Sequence, residues 1–209
     1  MAIGQDFFSE TKTSYKLLKG IDITRYIVRS HRWLKNYSKL KWENVEVFLK
    51  PKVISQVIVA HIENPYPHLK ITACYDDEGI AMTNTLMAFE TNKGIELKFL
   101  LCYLNSKFVS WYAFNFIYAQ AIRTMHFYDF YIQQLPVPIM SEVEQKPFLT
   151  IVDKVLSAKS NNPEVEIKHL EDKIDIMIYN LYNLSYEEVK IIDPAFALTD
   201  REYENFKVE

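Results

Sequence analysis

The sequence contains only four glycines, and they stand far apart in the chain, at positions 4, 20, 79 and 94. A dinucleotide fold or a phosphate-binding loop requires several glycines within a few residues, because the backbone must approach the phosphates closely. A methyltransferase needs a comparable glycine-rich loop for its own cofactor. The sequence therefore predicts neither a nucleotide site nor a cofactor site in this chain.

Cysteine is also scarce, and the histidines are scattered. Cys74 and Cys102 stand in apolar surroundings without CxxC spacing, which indicates small buried side chains rather than a disulfide framework or a zinc site. The five histidines form neither an HExxH motif nor a His/Cys cluster. We therefore expect no bound metal and no catalytic residues in this chain.

Long apolar runs are missing as well. No stretch approaches the roughly 18 uninterrupted apolar residues that a membrane span requires. The first six residues have neither the basic region nor the apolar region of a signal peptide. We expect a cytoplasmic protein that does not enter a membrane.

The residues that are present give a composition typical of a folded globular protein. The 209 residues are 49% hydrophobic and 14% aromatic, which is enough for one large domain or for a domain with a helical appendage. The net charge of −3 hides a division between two regions. Residues 1–140 hold 16 basic against 12 acidic side chains, whereas residues 141–209 hold 8 against 15. This division suggests that only one surface meets a polyanion.

Basic side chains are most concentrated between residues 12 and 52. We expect seven of them to contact phosphate groups, namely Arg25, Arg29, Arg32, Lys35, Lys39, Lys50 and Lys52. Binding of this kind weakens steeply as the salt concentration rises, because each contact releases counterions. An ordinary solvated basic face is the alternative interpretation of the same residues.

The pattern between residues 53 and 117 predicts strands followed by a helix. Residues 53–59 are rich in β-branched side chains, which fit a pleated surface. Residues 69–89 contain the turn-forming sequence Asp-Asp-Glu-Gly between two strand-like runs, and this pattern predicts a β-hairpin. Apolar side chains then recur every three or four positions, which predicts a helix from about 95 to 117.

The last third of the sequence predicts helices over residues 145–160 and 163–183, with a short helix after a capping box that begins at Ser185. The second helix carries an apolar seam formed by Ile167, Leu170, Ile174, Met177 and Leu181. This seam predicts a helical hairpin that packs on the body of the protein or pairs with another subunit. The fold class is therefore α+β. A mixed β-sheet region with a packed helix spans residues 1–140, and an acidic helical region spans 141–209.

Several segments resemble one family when they are taken in order. Residues 17–26, Leu-Leu-Lys-Gly-Ile-Asp-Ile-Thr-Arg-Tyr, resemble the opening motif of the TaqI-like C-terminal specificity domain. Residues 51–54, Pro-Lys-Val-Ile, resemble its strand entry, and residues 100–107 resemble its helix ending in Leu-Asn-Ser-Lys. Further similar segments lie at residues 121–125, 135–138, 144–145 and 174–192. The order is similar, more loosely, to that of type I restriction specificity subunits, and the resemblance covers about residues 4–193.

The resemblance implies that the chain reads double-stranded DNA for an adenine-N6 methyltransferase of a restriction-modification system, with or without a fused endonuclease. A catalytic domain in the same or a partner chain would then supply the S-adenosylmethionine chemistry. Contacts to base edges specify sequence, and amide side chains suit adenine. The candidates for base contacts are Gln56, Asn84, Arg123 and Gln133. For Arg123, a contact to guanine and a structural hydrogen bond are both open.

Two other functions fit the same sequence. A protein-interaction module would work through the C-terminal helical hairpin, and the basic stretch would be incidental. An enzyme of unfamiliar type would show a deep pocket with convergent carboxylates or a metal. Salt-dependent binding to duplex DNA separates the interaction module from a DNA-reading protein.

Overall fold

The computed structural model describes residues 8–13, 15–35, 49–91, 94–122 and 124–207. The strands in these ranges are β1 (Phe8–Ser9), β2 (Lys16–Leu18), β3 (Arg32–Leu34), β4 (Lys52–Gln56), β5 (Ile58–Ile62), β6 (His68–Lys70), β7 (Ala73–Asp76), β8 (Ala81–Met82), β9 (Leu86–Phe89) and β10 (Met125–His126). The α-helices are α1 (Leu97–Asn105), α2 (Lys107–Tyr112), α3 (Asp129–Ile132), α4 (Glu142–Asn161), α5 (Lys168–Leu181), α6 (Tyr186–Ile192) and α7 (Asp200–Glu204). The order of strands followed by helices confirms the predicted α+β class.

Three small sheets make up the β-rich part. The first has the order β1-β3-β2-β8, with β2 and β8 parallel. The second has the order β7-β4-β9 and the third β10-β5-β6, and both are antiparallel. The predicted hairpin over residues 69–89 is wrong, because β7 and β9 each pair with β4 rather than with each other. The chain between them enters the first sheet as β8, and β4 fills the position between the two strands.

The strand predicted over residues 53–59 is divided at Val57. The N–H of Val57 donates to Thr85 O at 3.0 Å, and its carbonyl accepts from the N–H of Phe127 at 2.7 Å. These two bonds take the place of the regular ladder at this residue. The chain therefore leaves the second sheet at the end of β4 and enters the third sheet as β5.

The helix predicted from about 95 to 117 is present, with a break at Ser106. Ser106 has extended backbone angles, and its Oγ accepts from the N–H of Val109 at 3.2 Å. This side-chain cap ends α1 and begins α2, which continues into a π-helical turn over Ala113–Ile117. Helix α1 packs against β4 and β7 on one side and against α4 on the other.

The two long C-terminal helices differ from the prediction at their ends. Helix α4 begins at Glu142 because Ser141 and Glu144 form a capping box. Helix α5 begins at Lys168 rather than at residue 163. Asn162 Oδ1 accepts from the N–H of Glu164 at 3.1 Å, and this bond makes a turn of the segment that was expected to begin the helix.

The capping box predicted at Ser185 is confirmed. The N–H of Ser185 donates to Glu188 Oε2 at 2.8 Å, and Ser185 Oγ accepts from the N–H of Glu188 at 3.4 Å. The box begins α6 at Tyr186.

The main hydrophobic core runs through both parts of the chain. It joins side chains of the second sheet, of α1 and of the C-terminal helices, from Tyr26 to Tyr203. In the predicted seam Ile167, Ile174 and Met177 are buried in this core. The hairpin therefore packs on the body of the protein, which was one of the two predicted arrangements. None of the helices in the described ranges is long and apolar enough to cross a membrane.

Candidate functional site

Two tight turns meet at one edge of the first sheet. Strands β2 and β8 are parallel neighbours, with Leu18 opposite Met82. Because the carboxyl ends of parallel neighbours lie at the same edge, the turn after β2 and the turn after β8 come together. We call this surface, formed by residues 19–22 and 83–85, the twin-turn edge.

The first turn is a single 3₁₀ turn over Gly20–Asp22, and Asp22 holds it in place. The Asp22 carboxylate is buried and accepts from the N–H of Lys19 at 2.8 Å and from the hydroxyl of Ser30 at 2.7 Å. The guanidinium of Arg32 lies 3.6 Å from the same carboxylate. A buried carboxylate with three partners fixes both ends of the turn.

The second turn is bound directly to the first. The N–H of Gly20 donates to Thr85 Oγ1 at 2.9 Å, and Nε2 of Gln56 donates to Gly20 O at 2.7 Å. The hydroxyls of Thr83 and Thr85 are 2.8 Å apart and hydrogen-bond to each other. Both backbone groups of Gly20 are thus satisfied by neighbouring side chains, and the two turns form one rigid unit.

The twin-turn edge carries four kinds of chemical group. Ile21 is 78% exposed, and Asn84 and Thr85 are also exposed. The ammonium of Lys19 lies over the ring of Phe8, 4.6 Å from its centroid. The edge therefore carries an apolar group, an amide, a hydroxyl and a cation. Base edges in a major groove offer the complementary groups.

Arg25 and Tyr26, which follow the first turn in the chain, have a structural role. The guanidinium of Arg25 donates to Asn105 O and lies 3.3 Å from the carboxylate of Glu171. Tyr26 is buried with φ +77°, and its N–H donates to Ala73 O at 2.8 Å. The predicted phosphate contact by Arg25 is therefore replaced by contacts inside the protein, because its partners lie at the end of α1 and on α5.

The acidic C-terminal region approaches the predicted phosphate-binding residues. Arg29 is exposed, and its guanidinium lies 2.5 Å from the carboxylate of Glu164. Both residues line a polar cleft of about 490 Å³ together with Gln56, Lys70 and Lys159. The acidic region thus lies against these cations, because the loop between α4 and α5 brings Glu164 to Arg29 and α5 brings Glu171 to Arg25.

Lys50 and Lys52 differ sharply in their surroundings. Lys50 is exposed, and its ammonium lies 2.7 Å from the carboxylate of Glu90. Lys52 is 1% exposed, and its ammonium donates to the carboxylate of Asp76 and, at 2.9 Å, to Ile80 O. Burial lowers the pKa of Lys52, although the hydrogen bond that its ammonium donates to Asp76 raises it. The phosphate role predicted for Lys52 is wrong, because a buried ammonium does not reach a polyanion.

Of the three remaining residues that were predicted to contact phosphate, two lie in the described ranges. Arg32 is partly exposed beside Asp22, at the base of the twin-turn edge, and Lys35 is exposed one residue after β3. Lys39 lies outside the described residues. Lys19 belongs to the edge but was not among the predicted contacts; its place directly before the Gly-Ile-Asp turn was the signal in the sequence.

Three of the four predicted base contacts lie in the described ranges. Asn84 is an exposed residue of the twin-turn edge, and Gln56 on β4 supports the edge through its bond to Gly20 O. Gln133 is exposed at the end of α3. Arg123 lies outside the described residues. Ile21 and Thr85 were missed, because their importance depends on two turns meeting.

A cavity of about 670 Å³ lies between β6, α2 and α6. Aromatic and aliphatic side chains line most of it, among them Trp111, Phe114 and Ile191, together with Lys107. None of the described residues that line it is a carboxylate, and no group of three or more His, Cys, Asp or Glu residues in the described ranges is arranged to hold a metal.

A comparison with protein families gives one match. The family model of the TaqI-like C-terminal specificity domain matches residues 15–137. This range includes the twin-turn edge, all three sheets in their greater part, and helices α1 to α3. No curated protein matches the chain.

Proposed function

Since the chain belongs to the TaqI-like C-terminal specificity domain family, we propose that it binds double-stranded DNA and selects the target with its twin-turn edge. Membership of this family implies recognition of a DNA target in a methyltransferase context. The observation that carries the proposal is that two fused turns present Ile21, Asn84 and Lys19 together. A rigid surface of this kind loses little conformational entropy when it binds.

The cations of the first sheet supply the phosphate contacts in this proposal. Lys19 belongs to the edge, Arg32 lies at its base, and Lys35 follows the strand that carries Arg32. Arg29 joins them when phosphate displaces Glu164 from its exposed ion pair, because such surface pairs are weak. The phosphate contacts fix the position of the duplex, and the exposed side chains of the edge then read the bases.

We further propose the catalytic context. The partner is an adenine-N6 methyltransferase domain, in the same or another polypeptide and with or without an endonuclease, and it acts in the cytoplasm. That domain binds S-adenosylmethionine, while this chain contributes no catalytic residue. The exposed amide of Asn84 supports adenine as part of the target, because an amide forms two hydrogen bonds with the N6 and N7 positions of that base.

A DNA titration at several salt concentrations tests the proposal. For the wild-type chain, the logarithm of the association constant should fall linearly with the logarithm of the salt concentration. Lys19→Gln and Lys35→Gln should each lower that slope by about one, because each removes one phosphate contact. Fluorescence anisotropy with a labelled duplex measures both the affinity and the slope.

Lys173→Gln is the matched control, since Lys173 is an exposed lysine on α5 in the acidic region. It should leave the slope unchanged. Equal effects of all three variants would mean that binding follows net charge alone and would contradict the proposed surface. Failure of the wild-type chain to bind any duplex would contradict DNA recognition itself.

The helical hairpin does not support the alternative of a protein-interaction module. Phe148, Ile151, Val152 and Val155 of α4 are buried in the main core, as are Ile174 and Met177 of α5. The apolar face on which a partner would dock is therefore already covered by this chain.

A further inference from the structure

Ile21 is the most prominent apolar side chain of the twin-turn edge. It lies in the middle of the 3₁₀ turn and is 78% exposed. Single exposed apolar residues are common on protein surfaces and need no special explanation. What distinguishes Ile21 is the rigidity of its support, since both adjacent residues, Gly20 and Asp22, are fixed by hydrogen bonds.

Those supports limit the positions that the Ile21 side chain can take. The N–H and the carbonyl of Gly20 are bound by Thr85 and Gln56 at 2.9 and 2.7 Å. On the other side, the carboxylate and the backbone carbonyl of Asp22 together accept from four groups of the segment from Lys19 to Ser30. A β-branched side chain on a fixed backbone has few rotamers, so little entropy is lost when it makes a contact.

The neighbours of Ile21 indicate what this contact is. Asn84 and Thr85, in the turn bonded to that of Ile21, offer hydrogen-bonding groups, and Lys19, two positions before Ile21, offers a positive charge. An apolar residue that docks on another protein is more often surrounded by a continuous apolar patch, whereas the surroundings of Ile21 are polar and cationic. Among the base edges of a major groove, the 5-methyl group of thymine is the apolar feature.

We propose that Ile21 determines specificity by packing on the 5-methyl group of a thymine in the target, beside the hydrogen bonds made by Asn84. This inference rests on the proposed function, because it requires that the twin-turn edge enters the major groove. It goes further by naming a base, the atom group on that base and the residue that reads it. Removal of one methyl group from such a contact should weaken binding about four-fold.

Replacement of thymine by deoxyuridine isolates this contact, because deoxyuridine lacks the 5-methyl group and keeps every hydrogen-bonding group. Duplexes that bind the full chain are first selected from a random pool. Each thymine of the selected target is then replaced singly by deoxyuridine, and the affinity is measured by anisotropy. For the wild-type chain we expect one position at which the replacement weakens binding about four-fold.

Ile21→Ala should bind the thymine and deoxyuridine forms of that position equally and should keep the salt slope of the wild type. Ile191→Ala is the matched control, since Ile191 is an isoleucine of similar exposure on α6, and it should keep the discrimination. Circular dichroism of both variants verifies that the fold is retained.

The outcomes separate this inference from the proposed function. If salt-dependent binding is present and no thymine position responds to the loss of its methyl group, Ile21 does not read thymine, while DNA recognition stands. The same conclusion follows if Ile21→Ala still distinguishes thymine from deoxyuridine. It also follows if Ile21→Ala binds DNA as the wild type does and binds only a methyltransferase protein more weakly. If the wild-type chain binds no duplex, the proposed function and this inference both fail.

Discussion

Lys50 and Lys52 stand two positions apart, and the structure gives them opposite roles. In the register of β4 and β7, Lys52 lies directly opposite Asp76, and the two side chains form a buried ion pair. Asp76 also accepts from the N–H groups of Gly79 and Ile80 at 3.1 and 2.8 Å. A buried charge needs this number of partners, because desolvation penalises an unpaired ion by several kcal/mol. The exposed pair of Lys50 with Glu90 has no comparable requirement.

We expect Lys52→Met to lower the free energy of unfolding by about 3–5 kcal/mol, because it leaves the carboxylate of Asp76 buried without its counter-ion. Lys50→Met should lower it by at most about 1 kcal/mol, since exposed ion pairs contribute little. Urea denaturation of the two variants and the wild type measures both values. Equal losses would contradict the assignment of Lys52 to the interior.

At the level of elements, the Leu-Asn-Ser-Lys sequence explains how α1 is joined to the second sheet. Asn105 lies at the end of α1, and its side chain accepts from the N–H of Ala73 at 3.0 Å and donates to Ala73 O at 2.9 Å. It therefore occupies the place of a further strand beside β7. Ser106 caps α2, and the ammonium of Lys107 lies 2.7 Å from the carboxylate of Asp193. Each polar residue of the motif has a separate structural task.

Asn105→Asp should lower the free energy of unfolding by about 3 kcal/mol. The carboxylate cannot donate to Ala73 O, and it places a negative charge against that carbonyl in a buried position. Asn84→Asp is the matched control in an exposed turn and should change stability by no more than about 0.5 kcal/mol. Thermal or urea denaturation distinguishes the two, and equal stability of the Asn105 variant and the wild type would contradict the proposed link.

On the scale of the whole molecule, the acidic C-terminal region is neutralised partly by cations from earlier in the chain. Lys107 lies within 4.0 Å of the carboxylates of Asp172, Asp175 and Asp193. Burial raises the pKa of Asp175 to about 7, although Lys107 and Arg25 lower it. Ion pairs between basic residues from the first part of the chain and acidic residues of the C-terminal helices thus join the two parts of the fold.

The raised pKa of Asp175 predicts a pH dependence of stability. The folded protein keeps this proton at pH values at which the unfolded chain has lost it, so stability falls as the pH rises from about 4 through about 7. Between pH 5 and 8 the expected loss is about 3 kcal/mol, which corresponds to about 1.4 kcal/mol for each pH unit up to the pKa.

Asp175→Asn should abolish this part of the loss, because the amide does not titrate and its oxygen still accepts from the N–H of Lys107, as Asp175 does at 2.9 Å. Denaturation curves at pH 5, 6, 7 and 8 test the prediction. Asp172→Asn, on the more exposed side of the same cluster, should retain the slope of the wild type. Parallel stability profiles for wild type and Asp175→Asn would show that Asp175 is not the group responsible.

The sequence by itself determined the classes of element and the family of this protein. Apolar spacing predicted the helix from about 95 to 117, and local capping chemistry predicted the start of α6 at Ser185, because both depend on residues that are neighbours in the chain. The order of short motifs likewise indicated the TaqI-like specificity domain without any three-dimensional information.

Only the tertiary structure decided which strands pair and which charges are free. The hairpin over residues 69–89 was wrong because β4, distant in sequence, takes the position between β7 and β9. The roles of Lys52 and Arg25 depend on Asp76 and Glu171, which lie 24 and 146 residues further along the chain. The twin-turn edge arises in the same way, since a parallel pairing brings Gly20 to Thr85. Contacts between distant residues depend on how the whole chain packs, and no local pattern encodes them.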